Sequence, residues 1–249
     1  MSATRIIEAQ SLEISHGGEP LLTDVSFSVG EGEIFAILGG SGSGKTTLVR
    51  ALLGLLPVCS GSLRVAGREL VGASEEMRAE ILRDFGVAFQ SGALFDSLTL
   101  AENVLVPIRE CRCMAEPTAQ LLARVTLAAV DLADAADLFP AQISGGMRKR
   151  AGIARAMALE PKILVLDEPT SGLDPLKAAD LDRLIATLNR SLGITVVMVT
   201  HDLASVFSLA QRCILIDAEV RGILAAGSPA ALRNSHPNPK VRAFFERTA

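Results

Sequence analysis

Apolar and polar residues alternate from Ile6 to Ile14 and again from Leu21 to Val29. A two-residue period puts every second side chain on one face, so these segments predict a pair of antiparallel strands. Further on the pattern changes. Ile34-Phe35-Ala36-Ile37-Leu38 and Ile163-Leu164-Val165-Leu166 are unbroken apolar runs, and Ile194 to Val199 is interrupted only by Thr195. Short runs of this kind predict strands covered on both faces. Gly61 to Gly67 predicts a short hairpin strand. Thr46 to Leu53 predicts a helix that stops near Gly54, residues 117 to 139 read as mostly helical from the Pro117-Thr118 boundary, and Arg148 to Leu159 reads as an Ala-rich helix. Strand-like and helix-like segments then alternate to residue 217. The tail from about Ser235, with Pro237 and Pro239, reads as an extension beyond the core that ends in a short helix from Pro239 to Arg247. Buried strands alternating with helices predict an α/β fold with a parallel sheet at its centre.

Composition narrows the class. The chain has 249 residues, 49% of them hydrophobic, and carries a net charge of −4. That length can bury a substantial core. The mean hydropathy is +0.37 and the pI about 5.5. The acidic balance argues against general nucleic-acid binding, and the absence of Tyr and Trp removes most base-stacking platforms. No apolar stretch approaches the roughly 18 residues of a membrane span, and Met1 to Gln10 lacks the apolar core of a signal peptide. The expectation is a cytosolic chain whose membrane role, if it has one, comes through partners. Cys59, Cys111, Cys113 and Cys213 are scattered without zinc-site spacing and read as reduced thiols without a function.

Four short segments carry the candidate chemistry. Gly39-Gly40-Ser41-Gly42-Ser43-Gly44-Lys45-Thr46 fits the phosphate-loop pattern at every fixed position, between a predicted strand and a predicted helix. Glycines let successive backbone N–H groups converge on one anion at a helix N-terminus, Lys45 reaches the β- and γ-phosphates, and the Thr46 hydroxyl holds Mg²⁺. The Ile163–Leu166 run ends in Asp167 and Glu168. Carboxylates at the C-terminal end of a buried strand stand where ligands bind, Asp167 to organise Mg²⁺ and Glu168 to orient or deprotonate an attacking water. Ser144-Gly145-Gly146, directly before a helix, forms a second bare helix N-terminus, which alone reads equally well as a cap. The Ile194–Thr200 strand ends in His201, one of only three histidines.

Together these segments resemble the nucleotide-binding subunit of ATP-binding-cassette (ABC) transporters. The family order of phosphate loop, glutamine loop, signature, acidic strand, D-loop and switch histidine appears here as Gly39–Thr46, Gln90, Ile143–Met147, Ile163–Glu168, Ser171–Asp174 and His201. The resemblance covers about residues 5 to 230. It implies a P-loop NTPase cassette with a mostly parallel core sheet, an N-terminal antiparallel β-subdomain and an inserted α-helical subdomain. The whole chain, 1–249, is then one nucleotide-binding domain. Its ATPase core and β-subdomain fall at about 5–89 and 159–230, its helical subdomain at about 90–158 and its C-terminal extension at about 231–249.

The resemblance implies ATP and Mg²⁺ as ligands. Gly39, Gly40, Ser41, Gly42, Ser43, Gly44, Lys45, Thr46 and Thr47 would hold the phosphates. Thr46, Gln90 and Asp167 would hold the metal, with Gln90 sensing the γ-phosphate. Glu168 would be the general base and His201 a γ-phosphate contact. Ser144, Gly145 and Gly146 would bind the γ-phosphate held by the other subunit, and Asp174 would lie at the dimer contact. Two positions depart from the family. His16 stands where an aromatic usually stacks on adenine, and Met147 replaces the usual signature glutamine.

The segments Gln90–Thr99, Ser144–Arg150 and Pro237–Phe245 resemble those of the bacterial lipid-trafficking branch, the ATPases of Mla-type systems that work with MCE proteins. That implies an ATP-dependent homodimer at the cytoplasmic face of the inner membrane. Its partners would be an integral-membrane permease, an MCE-type lipid-binding protein and a small accessory subunit. Two other readings stay open: an ABC importer or exporter of another solute, and a soluble ABC ATPase without a transport role.

Overall fold

The computed structural model describes residues 4–16, 19–90 and 92–246, and the chain folds into two compact units. The first joins the chain up to Arg83 with Thr195 onward; the second runs from Asp84 to Ile194.

In the first unit, β1 (Arg5–His16) pairs antiparallel with β2 (Glu19–Gly30), as the alternation predicts. Ile7, Leu12 and Ile14 lie opposite Val29, Val25 and Leu22, and all six are fully buried. The other edge of β1 pairs with β4 (Val58–Val65), which turns into the short β5 (Arg68–Glu69). A second set of strands centres on β3 (Ile34–Gly39), every residue of which is buried. The helix α1 (Lys45–Leu52) follows β3 directly, and α2 (Glu75–Leu82) closes the first stretch, capped by Ser74.

The second unit opens with β6 (Phe85–Ala88), then α3 (Leu100–Cys111), α4 (Glu116–Ala128) and α5 (Gly145–Met157). It continues with β7 (Ile163–Asp167), paired parallel to β6, and ends with α6 (Pro175–Leu192). The α3 helix has no counterpart in the periodicity reading. A capping box fixes its start: Thr99 Oγ1 accepts from Glu102 N at 3.2 Å, and Glu102 Oε2 accepts from Thr99 N at 2.8 Å. Its fully buried Asn103 accepts from Phe95 N at 2.7 Å and donates to Phe95 O and Thr99 O. One amide thus holds the turn from Phe95 to Thr99. The α5 helix starts at Gly145, three residues before the predicted Arg148, because Ser144 caps it and draws the glycines into its first turn.

The chain then returns to the first unit with β8 (Thr195–Val199), α7 (Leu203–Leu209), β9 (Arg212–Asp217) and β10 (Gly222–Gly227). β3 pairs parallel with both β8 and β9, and β10 adds antiparallel to β9. α8 (Pro229–Asn234) and α9 (Pro239–Glu246) complete the chain. The tail is anchored rather than trailing. Val241 and Phe245 are fully buried, and Lys240 Nζ pairs with Asp217 at 2.9 Å and Glu219 at 2.8 Å.

Candidate nucleotide site

The phosphate loop leaves β3 at its C-terminal end and enters α1 at Lys45. Its backbone demands glycine at two places. Gly39 has φ +156°, and a Cβ there would lie 2.4 Å from Ser43 Oγ and 2.6 Å from Ile216 O. Gly44 has φ +104°, and a Cβ there would lie 2.8 Å from Leu22 Cδ2. Both positions reject a side chain on conformation and on space. Gly44 is also the N-cap of α1 and supplies no side-chain acceptor. The first-turn N–H groups therefore face outward with the positive end of the helix behind them. Gly40 and Gly42 are exposed, and a Cβ on either would meet nothing within 4 Å. This open, glycine-lined concavity beside an uncapped helix start fits a chain of phosphates. Lys45 Nζ donates to Gly39 O and Gly40 O, both at 2.9 Å, which keeps the ammonium over the loop. Thr46 is exposed at the same helix start.

His201 stands two residues past β8 and is exposed. The turn that carries it is tied on both sides. Asp202 N donates to Thr200 Oγ1 at 3.0 Å, and Asp202 Oδ1 accepts from Ala204 N at 3.0 Å to start α7. His16 is the last residue of β1, but its side chain lies outside the described residues.

In the second unit, β7 delivers Asp167 and Glu168 at its C-terminal end. Glu168 has φ +47°, left-handed backbone that costs a non-glycine residue about 1 kcal/mol or more. Gln90 lies just past β6, whose Ala88 is in register with Leu166 of β7. Gln90 Nε2 donates to Ser171 Oγ at 3.2 Å. Lys149, from α5, donates through Nζ to Gln90 O at 2.5 Å and to Glu168 O at 3.0 Å. Burial pulls the Lys149 pKa below the usual lysine value, against the opposing pull of the Glu168 and Asp167 charges.

Ser144 caps α5 by accepting from Met147 N at 3.3 Å. Gly145 is exposed and a Cβ on it would meet nothing within 4 Å, so the start of this helix is open too. A cavity of about 310 Å³ runs past Ser144, Gly146 and Met147 to Leu173 and Lys177. Asp174 caps α6, accepting from Lys177 N at 3.0 Å and pairing with Lys177 Nζ at 2.8 Å. Those two bonds hold its carboxyl below the usual range.

The structure thus brings Gln90, Glu168 and Ser171 together in one unit, which also carries the cavity lined by Ser144, Gly146, Leu173 and Lys177 and, at the start of α6, Asp174. The phosphate loop and His201 belong to the other unit. Lys149 was missed by sequence reasoning, since it sits between two arginines and nothing in its spacing marks it out. No group of three or more His, Cys, Asp or Glu able to hold a metal occurs among the described residues, and none of their helices is long and apolar enough to cross a membrane. The metal donors expected here, Thr46, Gln90 and Asp167, are hard oxygen ligands of the kind Mg²⁺ takes alongside phosphate.

A glycine cradle at a helix N-terminus, with a second strand ending in Asp-Glu, defines a P-loop nucleotide-hydrolysing cassette. The family model described as "ABC transporter" matches residues 22–171. The intermembrane phospholipid transport system ATP-binding protein MlaF of Escherichia coli (strain K12) is 36% identical over 249 residues, all of this chain and 91% of that protein. The probable ribonucleotide transport ATP-binding protein mkl of Mycobacterium tuberculosis (strain ATCC 25618 / H37Rv) is 41% identical over 197 residues, 79% of this chain and 55% of that one. Among solved structures, the dimeric post-hydrolysis state of the ATP-binding cassette MJ0796, bound to ADP and Pi, superposes with a TM-score of 0.78 at 29% identity. It covers 89% of this chain and 98% of its own. The chain belongs to the ABC transporter family, as its ATP-hydrolysing subunit.

Proposed function

We propose that this ATPase energises the movement of phospholipid between membranes. The carrying observation is the alignment with MlaF, which runs the full length of this chain and nearly all of that protein. Two copies form the working unit and pass their closing motion to a separate integral-membrane permease. An MCE-type lipid-binding protein and a small accessory subunit complete the assembly, and the ATPase sits peripherally at the cytoplasmic face of the inner membrane.

The chemistry follows from the residues present. N–H groups of the phosphate loop hold the β- and γ-phosphates, and Lys45 exchanges its loop carbonyls for phosphate oxygens. Thr46, Gln90 and Asp167 would hold Mg²⁺, which when bound would neutralise charge developing on the phosphate oxygens. The Glu168 carboxylate accepts the proton of the attacking water as its oxygen bonds to the γ-phosphorus. Gln90 would sense the γ-phosphate and His201 would contact it. Ser144, Gly145 and Gly146 close on the γ-phosphate bound by the partner subunit, with Asp174 at the contact between copies. Glu168→Gln keeps the shape of the base but removes its basicity, so turnover should fall by about 10²–10⁴ while ATP still binds. Steady-state hydrolysis at the wild-type rate would dismiss Glu168 as the base.

The likeness to mkl supports a second reading, a cargo other than lipid. Solubilising the intact complex and identifying its bound molecules by mass spectrometry separates the two. Phospholipid retained in stoichiometric amount supports the first reading; a nucleotide or other solute in its place supports the second.

A further inference from the structure

Lys149 joins segments that the sequence keeps far apart. β6 and β7 run parallel, with Ala88 beside Leu166, so Gln90 and Glu168 emerge from neighbouring strand ends. One ammonium from α5 spans both ends and donates to Gln90 O and Glu168 O. The circuit then closes on itself. Gln90 Nε2 donates to Ser171 Oγ at 3.2 Å, and Ser171 N donates to Glu168 O at 3.3 Å. Glu168 needs such support. It is held at φ +47° and directly precedes Pro169, and a proline further restricts the residue before it. Neighbouring cations cannot take over. Arg148 Nε donates to Pro140 O at 2.8 Å, and Arg150 Nη1 pairs with Asp131 at 2.6 Å.

We propose that Lys149 is a positioning residue for ATP hydrolysis: it ties the carbonyls of Gln90 and Glu168 to the helix that begins at Ser144-Gly145-Gly146, and so sets where the Glu168 carboxylate stands. The proposal rests on the reading of Glu168 as the base. It also gives that helix a mechanical role. Whatever pulls on the start of α5 pulls, through one side chain, on the backbone that carries the base.

The test uses the full-length chain. Lys149→Met keeps the aliphatic stem and removes every donor. Without nucleotide, amide hydrogen exchange in residues 168–173 should rise about tenfold, while β1 stays unchanged. The kcat for ATP hydrolysis should fall about 10–100-fold with KM for ATP within about twofold, because a catalytic group displaced by about 1 Å loses rate of this order. Lys149→Arg, with donors enough for both carbonyls, should recover part of that kcat. In single-turnover measurements on Glu168→Gln, adding Lys149→Met should change the residual rate by less than about twofold, since both act through one group. A kcat within twofold of wild type, unchanged exchange at 168–173, or a full additional loss on top of Glu168→Gln each overturns the proposal. If Lys149→Met does not fold, Lys149→Gln, which keeps a donor for one carbonyl, is put through the same measurements with the same criteria. Wild-type turnover by Glu168→Gln alone would topple the base reading and this proposal together. A failed Lys149 test beside an inactive Glu168→Gln would sink this proposal only.

Discussion

Gly145→Asp separates binding at a chain's own phosphate loop from closure of two chains. Gly145 is the first residue of α5, is exposed, and has room for a Cβ with nothing within 4 Å. An acidic residue there faces the positive end of the helix, a gain of about 0.3–1 kcal/mol, and loss of glycine's freedom in the unfolded chain adds about 0.4–1 kcal/mol. The variant should therefore melt at the wild-type temperature or a few degrees above it. Closure is another matter. One unit charge about 4 Å from another, at an effective dielectric near 20, costs about 4 kcal/mol, a factor of about 10³. In the Glu168→Gln background, ATP-dependent dimerisation followed by light scattering should shift by that factor, with ATP affinity of the monomer unchanged. Mixed dimers sharpen the test by pairing Gly145→Asp with Lys45→Ala. With both changes in one chain, each composite site carries one defect, and neither site should occlude ATP. With the changes in opposite chains, one site takes both defects and the other, intact, should still occlude. The reverse pattern, or dimerisation at the wild-type ATP concentration, would refute a site shared between copies.

Lys45→Ala removes the ammonium above the loop, and a charge-assisted bond of about 1.5–3 kcal/mol predicts an ATP Kd raised about 10–100-fold by calorimetry; wild-type affinity would disprove the phosphate role. Burial pushes the Cys213 thiol up to about 12, whereas Cys59, Cys111 and Cys113 are exposed. Since the thiolate is the reactive form, alkylation of the native protein near pH 8.5 should label the three exposed cysteines and spare Cys213 until denaturation. Labelling of Cys213 at the rate of the others would contradict its burial.

Much of the first unit was legible because its signals are local. The two-residue alternation in Ile6–Ile14 and Leu21–Val29 became β1 and β2, with Ile7, Leu12, Ile14, Val25 and Val29 inward, but register shifts near Ile14 turn Leu22 inward and leave Leu21 exposed. Gly39 and Gly44 announced themselves by type, and the structure shows why no other residue serves there. The carboxylates at the end of β7 and His201 after β8 were readable because a buried run that ends in a polar residue also marks the strand's end. The α3 helix was missed although its start is written in the chain. Thr99 and Glu102 have capping-box spacing, which the periodicity reading did not use, and Pro107 falls inside the helix. What holds the neighbouring loop, the buried amide of Asn103, cannot be read from sequence, because a buried asparagine and an exposed one look alike.

Arg148-Lys149-Arg150 shows where sequence reading stops. As a string it is a basic cluster, which by itself reads as a solvated face or an anion patch. On a helix, successive residues point about 100° apart, so three neighbours address three directions. Arg148 reaches Pro140, Lys149 reaches Gln90 and Glu168, and Arg150 reaches Asp131. The same charge type thus clamps α5 in three directions, and of the three only Lys149 touches the Glu168 carbonyl. A substitution series across these positions should therefore not scale with charge removed. Loss of either arginine releases a peripheral segment, and loss of the lysine loosens the backbone beneath Glu168. Chemistry carried by a backbone carbonyl leaves no residue type in the sequence to find, so the partner that fixes it shows only once the chain is folded.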